Sequence, residues 1–242
     1  MFLKKIVPLG MVIFLSCMVN CFAADSASDY LDRNNAVAIK LGAHVFEGST
    51  FTDAWDIGVS DFTGFACEVS YERKITDGWS VELPLGISYS SDISSSSLFT
   101  NDWSETSFQS IYLAPSAKYY VPLTQKLFGF AGAGLDLAYS TADYDYRVDG
   151  DHTYDASETY WTPGAHLLAG IKWYISTKQD TFEGSWDIPA SLNLEYRYTW
   201  ESISNADKDQ IRIVNETFGT DFPAHDLDIG GHLITLGLQY HW

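Results

Sequence analysis

Few residues in this chain have the type and spacing to do chemistry. The densest group of carboxylates is Asp143-Tyr-Asp-Tyr-Arg-Val-Asp-Gly-Asp151, in which Asp145, Asp149 and Asp151 surround a glycine turn. Closely spaced oxygen ligands of this kind suit calcium. The spacing is not that of an EF-hand, and a solvated acidic loop accounts for the same residues without a metal. Glu72 and Glu82 flank a turn, where a pair of acids needs no catalytic role. Of the six histidines, His44, His166 and His241 fall on the polar side of alternating segments, where a hydrogen-bonded imidazole is the simple reading. There is no zinc-like His/Cys cluster, phosphate-binding loop or nucleophile elbow. No catalytic residue and no cofactor are therefore expected.

The elements that would position these residues begin after a leader. Lys4 and Lys5 precede an apolar run from Ile6 to Val19, and Cys21-Phe-Ala23 ends in small residues suited to cleavage before Ala24. The expected division is residues 1–23 as a cleaved signal peptide and 24–242 as one domain. A retained anchor would need a longer apolar run, and lipid attachment at Cys17 or Cys21 is the other alternative. The whole chain carries 14 basic and 32 acidic residues; without Lys4 and Lys5 the balance is 12 against 32. Such a chain is a poor nucleic-acid partner, because phosphate neutralisation needs Lys and Arg. Only Cys67 remains after cleavage, in an alternating apolar register that points to packing.

Beyond residue 35 the pattern has a period of two, the mark of strands with two unlike faces. Eight strands are expected: near 36–46, 64–73, 79–89, 111–121, 127–139, 161–175, 192–200 and 230–242. Thr76-Asp77-Gly78 and Pro122–Lys126 make short turns, and Ser176–Pro189 a medium one. The remaining connections are long: Gly48–Asp61, Ser90–Thr106, Ser140–Glu158 and Glu201–Ile229. The last of these holds Ile211, Val214 and Phe218 at helical spacing.

Charge is segregated between the two faces. No position on the eight apolar faces carries Asp, Glu, Lys or Arg, although charged residues are 19% of the chain. The opposite faces carry Lys40, Glu68, Glu72, Glu82, Lys118, Asp136, Lys172, Glu195 and Arg197. Tyr and Trp gather near strand ends (Tyr71, Tyr89, Tyr119, Tyr139, Trp161, Trp173, Trp200, Trp242). These regularities fit a sheet whose apolar face meets lipid, since a charge at mid-depth costs about 2–4 kcal/mol for Lys or Arg. A spanning sheet must close on itself to satisfy its backbone. A soluble barrel with the apolar face inward is the alternative.

The final strand carries Thr235, Gly237, Tyr240 and Trp242. It resembles the C-terminal assembly signal of bacterial outer-membrane barrels, which reads polar-x-Gly-x-x-aromatic-x-aromatic. With the leader and eight alternating strands, the chain is similar to small outer-membrane barrels such as the transmembrane domain of outer membrane protein A, the opacity-type adhesins and the "porin family" barrels. The resemblance implies an all-β, closed, up-and-down antiparallel transmembrane barrel with short periplasmic turns and long external loops. It implies location in the outer membrane of a Gram-negative envelope. The implied partners are outer-membrane lipid and lipopolysaccharide, the barrel assembly machinery, and extracellular ligands or host surfaces. Lipid A deacylases of that membrane carry His-x-Ser, and no histidine here is followed by that spacing. The expected role is a non-enzymatic structural or surface-interaction one, with a narrow porin-like channel for small solutes as the alternative. Eight strands leave room only for side chains, so the nine charges form an expected lumen network beside Tyr112, Tyr120, Phe128 and Phe130. Asp136 with Lys172, and Glu195 with Arg197 or Gln239, are the expected pairs.

Overall fold

The computed structural model describes residues 33–46, 63–94, 103–148, 152–175, 189–204 and 226–242, with isolated positions between 208 and 224. The leader lies outside the described residues, as do the first external loop and residues 176–188. Eleven strands follow in order: β1 (Asn35–Phe46), β2 (Thr63–Thr76), β3 (Trp79–Ser94), β4 (Trp103–Leu113), β5 (Ser116–Pro122), β6 (Leu127–Val148), β7 (His152–Tyr174), β8 (Ala190–Trp200), β9 (Ser202–Ile203), β10 (Leu227–Asp228) and β11 (Gly231–His241).

Nine of them form one sheet. β4 and β5 are halves of a single wall strand interrupted at Ala114–Pro115, because a proline cannot donate to the ladder. The wall therefore has eight strands, all antiparallel, each paired with its sequence neighbours. It closes where β1 pairs with both β2 and β11, in the registers Leu41↔Cys67 and Leu41↔Leu236. Asn35 and Trp242 exchange backbone hydrogen bonds of 3.3 and 3.0 Å, finishing the seam at the rim. This is the expected closed, up-and-down barrel. The tight turn after β2 places Gly78 at φ 85°, a conformation that needs glycine.

Burial alternates along most of the wall between the girdles, and the apolar side is the exposed one. Leu41, Val69, Leu85, Leu135, Leu194 and Leu236 are among the large apolar residues left facing outward. Aromatic residues bound this belt at both ends. Tyr71, Trp79, Tyr119, Trp173, Tyr240 and Trp242 lie at the end with the short turns, and Tyr89, Tyr139, Trp161 and Trp200 at the other. Neighbours touch within each girdle: Trp79 and Tyr119 ring centroids are 5.1 Å apart, and Tyr139 and Trp161 5.0 Å. From Trp79 to Tyr89 there are ten residue steps of about 3.3 Å. Tilted by about 40°, they give a belt roughly 25 Å tall, the height of a lipid-facing band.

Four strands run past the upper girdle. β6 continues from Tyr139 to Val148 and pairs with β7 throughout, down to Val148↔His152. β4 pairs alongside as far as Trp103↔Arg147, and β3 as far as Ser94↔Ser104. The segment Ser140–Glu158, expected as a long loop, is thus paired strand on both sides of residues 149–151, and strand also extends into Ser90–Thr106 from both ends. The Tyr144, Tyr146, Val148 and Tyr154 positions explain the difference: aromatic and β-branched residues at every second place favour a strand, even where the alternating partner is an acid. In the last external connection, residues 208, 211–212 and 215–216 are helical. The β9–β10 ribbon at its base had no sequence signal.

Candidate functional site

The interior is filled by the polar face of the wall. All nine charges singled out in the sequence are buried there. The ladder explains how they fit: long side chains stand beside small ones on neighbouring strands. Lys40 lies opposite Gly237, Lys118 opposite Gly132, and Glu195 opposite Gly170. Tyr112 lies across Gly86, where a Cβ would collide with the phenol ring. Its hydroxyl thereby reaches Glu68 at 2.9 Å.

Three cations and three anions form the central cluster. The Lys40 ammonium lies 3.0 Å from Glu82, 3.1 Å from Glu195 and 3.5 Å from Glu68. Lys118 contacts Glu82 and Glu195, each at 2.5 Å. Arg197 reaches Glu68 at 2.7 Å and Glu195 at 2.9 Å. Ser70 donates to Glu82 at 2.7 Å. The charges cancel within the cluster, which is what makes their burial tolerable.

A second group lies toward the short turns. Lys172 pairs with Glu72 at 2.8 Å, and Gln239 and Ser80 donate to the same carboxylate at 2.8 and 2.7 Å. Asn193 donates to Gln239 at 2.8 Å, and Ser191 shares a hydrogen bond with His241 at 2.8 Å. Lys172 also sits over the Tyr120 ring, and Lys118 over Phe130. Phe128 and Phe130 are fully buried beside them.

Toward the external end, His166 Nδ1 is 2.7 Å from Asp136 and its Nε2 2.8 Å from the Ser116 hydroxyl. These three residues have the connectivity of a nucleophile, base and orienting acid. The Ser116 hydroxyl has a competing acceptor in the Ala114 carbonyl at 2.9 Å. All three side chains are buried. We read the trio as a brace across β5, β6 and β7.

One expected pair is corrected, and of the two partners expected for Glu195 only Arg197 is found. Asp136 is not with Lys172: the register sets Asp136 against Gly164 and Lys172 against Phe128, about 26 Å apart along the strands. His166 takes Asp136 instead, so the apparent fifth, unmatched acid has an imidazole partner. Glu195 pairs with Arg197 but not with Gln239, because β11 places Thr235 beside Glu195 and Gln239 four residues further on. Stagger between strands decided both, and face assignment does not reveal stagger. His44 stacks on Phe46 with centroids 4.2 Å apart, and its Nε2 has no hydrogen-bond partner among the described residues.

The two ends of the lumen are closed differently. At the turn end a cavity of about 40 Å³ is lined by residues including Glu72, Tyr120, Lys172 and His241. At the external end the cavity is about 20 Å³, under an apolar cluster of Phe46, Phe108, Ala138, Ala142, Ile203 and Ile229. Asp149 and Asp151 of the candidate calcium set lie outside the described residues. Asp145 is in β6, paired with Glu105 and Asp155. No group of three or more potential metal ligands occurs among the described residues. Of the C-terminal motif, Thr235 and Gly237 face the lumen, while Tyr240 and Trp242 stand in the lower girdle.

Comparison with known proteins gives likeness of structure only. No family model matches the chain, and no curated protein matches it. Neisserial surface protein A is similar with a TM-score of 0.47 and 15% identity, over 86% of this chain and 95% of that one. The outer membrane protein OprG from Pseudomonas aeruginosa gives 0.49 and 12%, over 87% and 96%. Ail, the attachment invasion locus protein of Yersinia pestis, gives 0.40 and 10%, over 87% and 99%. At these levels the assignment of the fold rests on the strand pairings themselves.

Proposed function

We propose that the chain is an integral outer-membrane barrel whose packed interior makes it a rigid, non-enzymatic pillar for a surface-exposed sheet. The observation that carries this reading is the inversion of its two faces. A charge-free apolar belt between aromatic girdles faces outward, and the ion cluster faces inward. A soluble protein would pay heavily for that arrangement, whereas a bilayer rewards it. Residues 1–23 act as the export signal, and the Tyr240 and Trp242 end as the assembly signal.

The part offered to the outside is the extension of β3, β4, β6 and β7. Over residues 152–164, the side of β7 away from β6 has no ladder partner among the described residues, since pairing with β8 starts at Ala165↔Trp200, although β9 packs against β7 and Glu201 covers Gly164. Unpaired strand edges capture extended peptides by adding a strand. The reading thus makes the sheet edge, together with the acidic external connections, the contact surface for extracellular ligands or host surfaces. The test is fractionation. The protein should partition with the outer membrane and, unboiled, run as a compact band distinct from the boiled form. Recovery as a soluble monomer without detergent would overturn it.

A further inference from the structure

Glu201 is the first residue past β8, and it holds two things at once. Its backbone carbonyl accepts a 3.0 Å hydrogen bond from Gly230 N–H, tying the two ends of the last external connection together. Its side chain lies over Gly164 of β7, where a Cβ would collide with it. There it lines the external cavity with Asp136, Arg197 and His44.

The β9–β10 ribbon follows directly, with Leu227 paired to Ile203 and Asp228 to Ser202. Ile203 and Ile229 are 4% and 2% exposed and pack down onto Phe46 and Phe108 in the mouth of the barrel. The ribbon therefore caps this end of the lumen, and Glu201 is the residue that joins it to β8. We propose that this cap is latched by a proton: with Glu201 neutral, its carboxyl packs beside Asp136 and the ribbon stays seated. With Glu201 ionised, the ribbon lifts and water reaches the cavity.

The groups facing Glu201 support this. β6 contributes Asp136, β8 Arg197, β1 His44 and β4 Tyr112 to the same cavity; Asp228 of β10 pairs with Ser202, the next residue along. Arg197 is committed to Glu68 and Glu195, and His166 to Asp136. No cation pairs with Glu201 among the described residues. Burial first, and Asp136 second, push its carboxyl up to about 8, with Arg197 pulling the other way. The side chain is half-buried with the ribbon seated; once the ribbon is lifted and the carboxyl fully hydrated, the ordinary value near 4.5 applies. A raised acid favours the closed form fully below the lower value. Closure then weakens by up to tenfold per pH unit towards about pH 8 and levels off above it.

The experiment is amide hydrogen exchange of residues 201–204 and 226–230 in the folded full chain in detergent micelles. It would run from pH 5 to 9, corrected for the intrinsic exchange rate. The expected opening constant of the wild type rises at least tenfold between pH 5 and 8 and then flattens. In Glu201→Gln it stays within twofold throughout. A flat wild-type profile, or the same rise in Glu201→Gln, would overturn the proposal. Should Glu201→Gln lose its compact unboiled band, Asp136→Asn puts the same question. Removing the neighbouring charge should move the plateau to lower pH, and an unmoved plateau would count against the latch.

Discussion

Arg197 and Glu68 meet end-on across the barrel, with Nη1 2.7 Å from Oε1 and Nη2 3.3 Å from Oε2. Their strands, β8 and β2, are not neighbours; β11 and β1 lie between them. The pair is thus a crosslink through the lumen. Lys40 on β1 and Glu195 on β8 reinforce it, because Lys40 touches both carboxylates. Backbone ladders hold only adjacent strands together, so contacts of this kind are what resist flattening of the cylinder.

Breaking the crosslink on one side should be costly. Arg197→Met leaves Glu68 buried with only the 3.5 Å contact to Lys40 and the Tyr112 hydroxyl. Removing one partner of a buried pair costs about 3–5 kcal/mol, whereas removing both is often near neutral. The double variant Arg197→Met with Glu68→Gln should therefore recover more than half of the loss. Urea-unfolding midpoints of refolded barrels in lipid vesicles give the comparison.

The outward face gives a second ordering. Leu236 is exposed at the middle of β11, while Thr159 is exposed on β7 beyond the Trp161 girdle. Leu236→Arg should cost about 2–4 kcal/mol in vesicles and Thr159→Arg less than about 1, because the penalty falls with distance from the bilayer midplane. Equal costs for the two would mean that the belt does not lie in lipid.

The sequence made the faces legible and left the stagger hidden. Period-two alternation needs no knowledge of partners, so the burial of Lys40, Glu72 and Arg197 could be read from the chain. Pair identities need the register, which is why Asp136 and Lys172, opposite in charge and on the same face, lie far apart. The acidic hairpin past Tyr139 was hidden differently. Asp143 and Asp145 alternate with Tyr144 and Tyr146, and a strand rich in acids looks like a loop when hydropathy is the guide. Ile203 is a single apolar residue in a polar stretch, and Leu227 with Ile229 makes an alternation too short to mark a strand.

At the seam, Tyr71, Tyr240 and Trp242 cluster on the lower girdle, with Trp242 centroids 6.3 Å from Tyr71 and 6.1 Å from Tyr240. Deleting Trp242 removes both the girdle contact and the backbone bonds to Asn35. Assembly should fall severalfold while export continues, seen as unfolded periplasmic protein beside a weaker compact band. Unchanged amounts of folded barrel would show that this end has no role in assembly.

The charges that line the lumen are mutually paired, and the rings of Tyr120, Phe128 and Phe130 fill the space below the central cluster. The cavities at the two ends, about 40 and 20 Å³, have room for roughly one or a few waters each. A hydrated ion would have to separate Lys118 from Glu82 and Glu195 to get through, which exposes unpaired charge at every step. Planar bilayers holding the pure barrel should therefore show only small or rare conductance steps, unchanged by added sugars. The variant Lys118→Ser with Glu195→Ser removes the central bridge while keeping the net charge, and it should raise step frequency severalfold. Stable, open, sugar-admitting channels from the wild type would instead favour the porin-like reading.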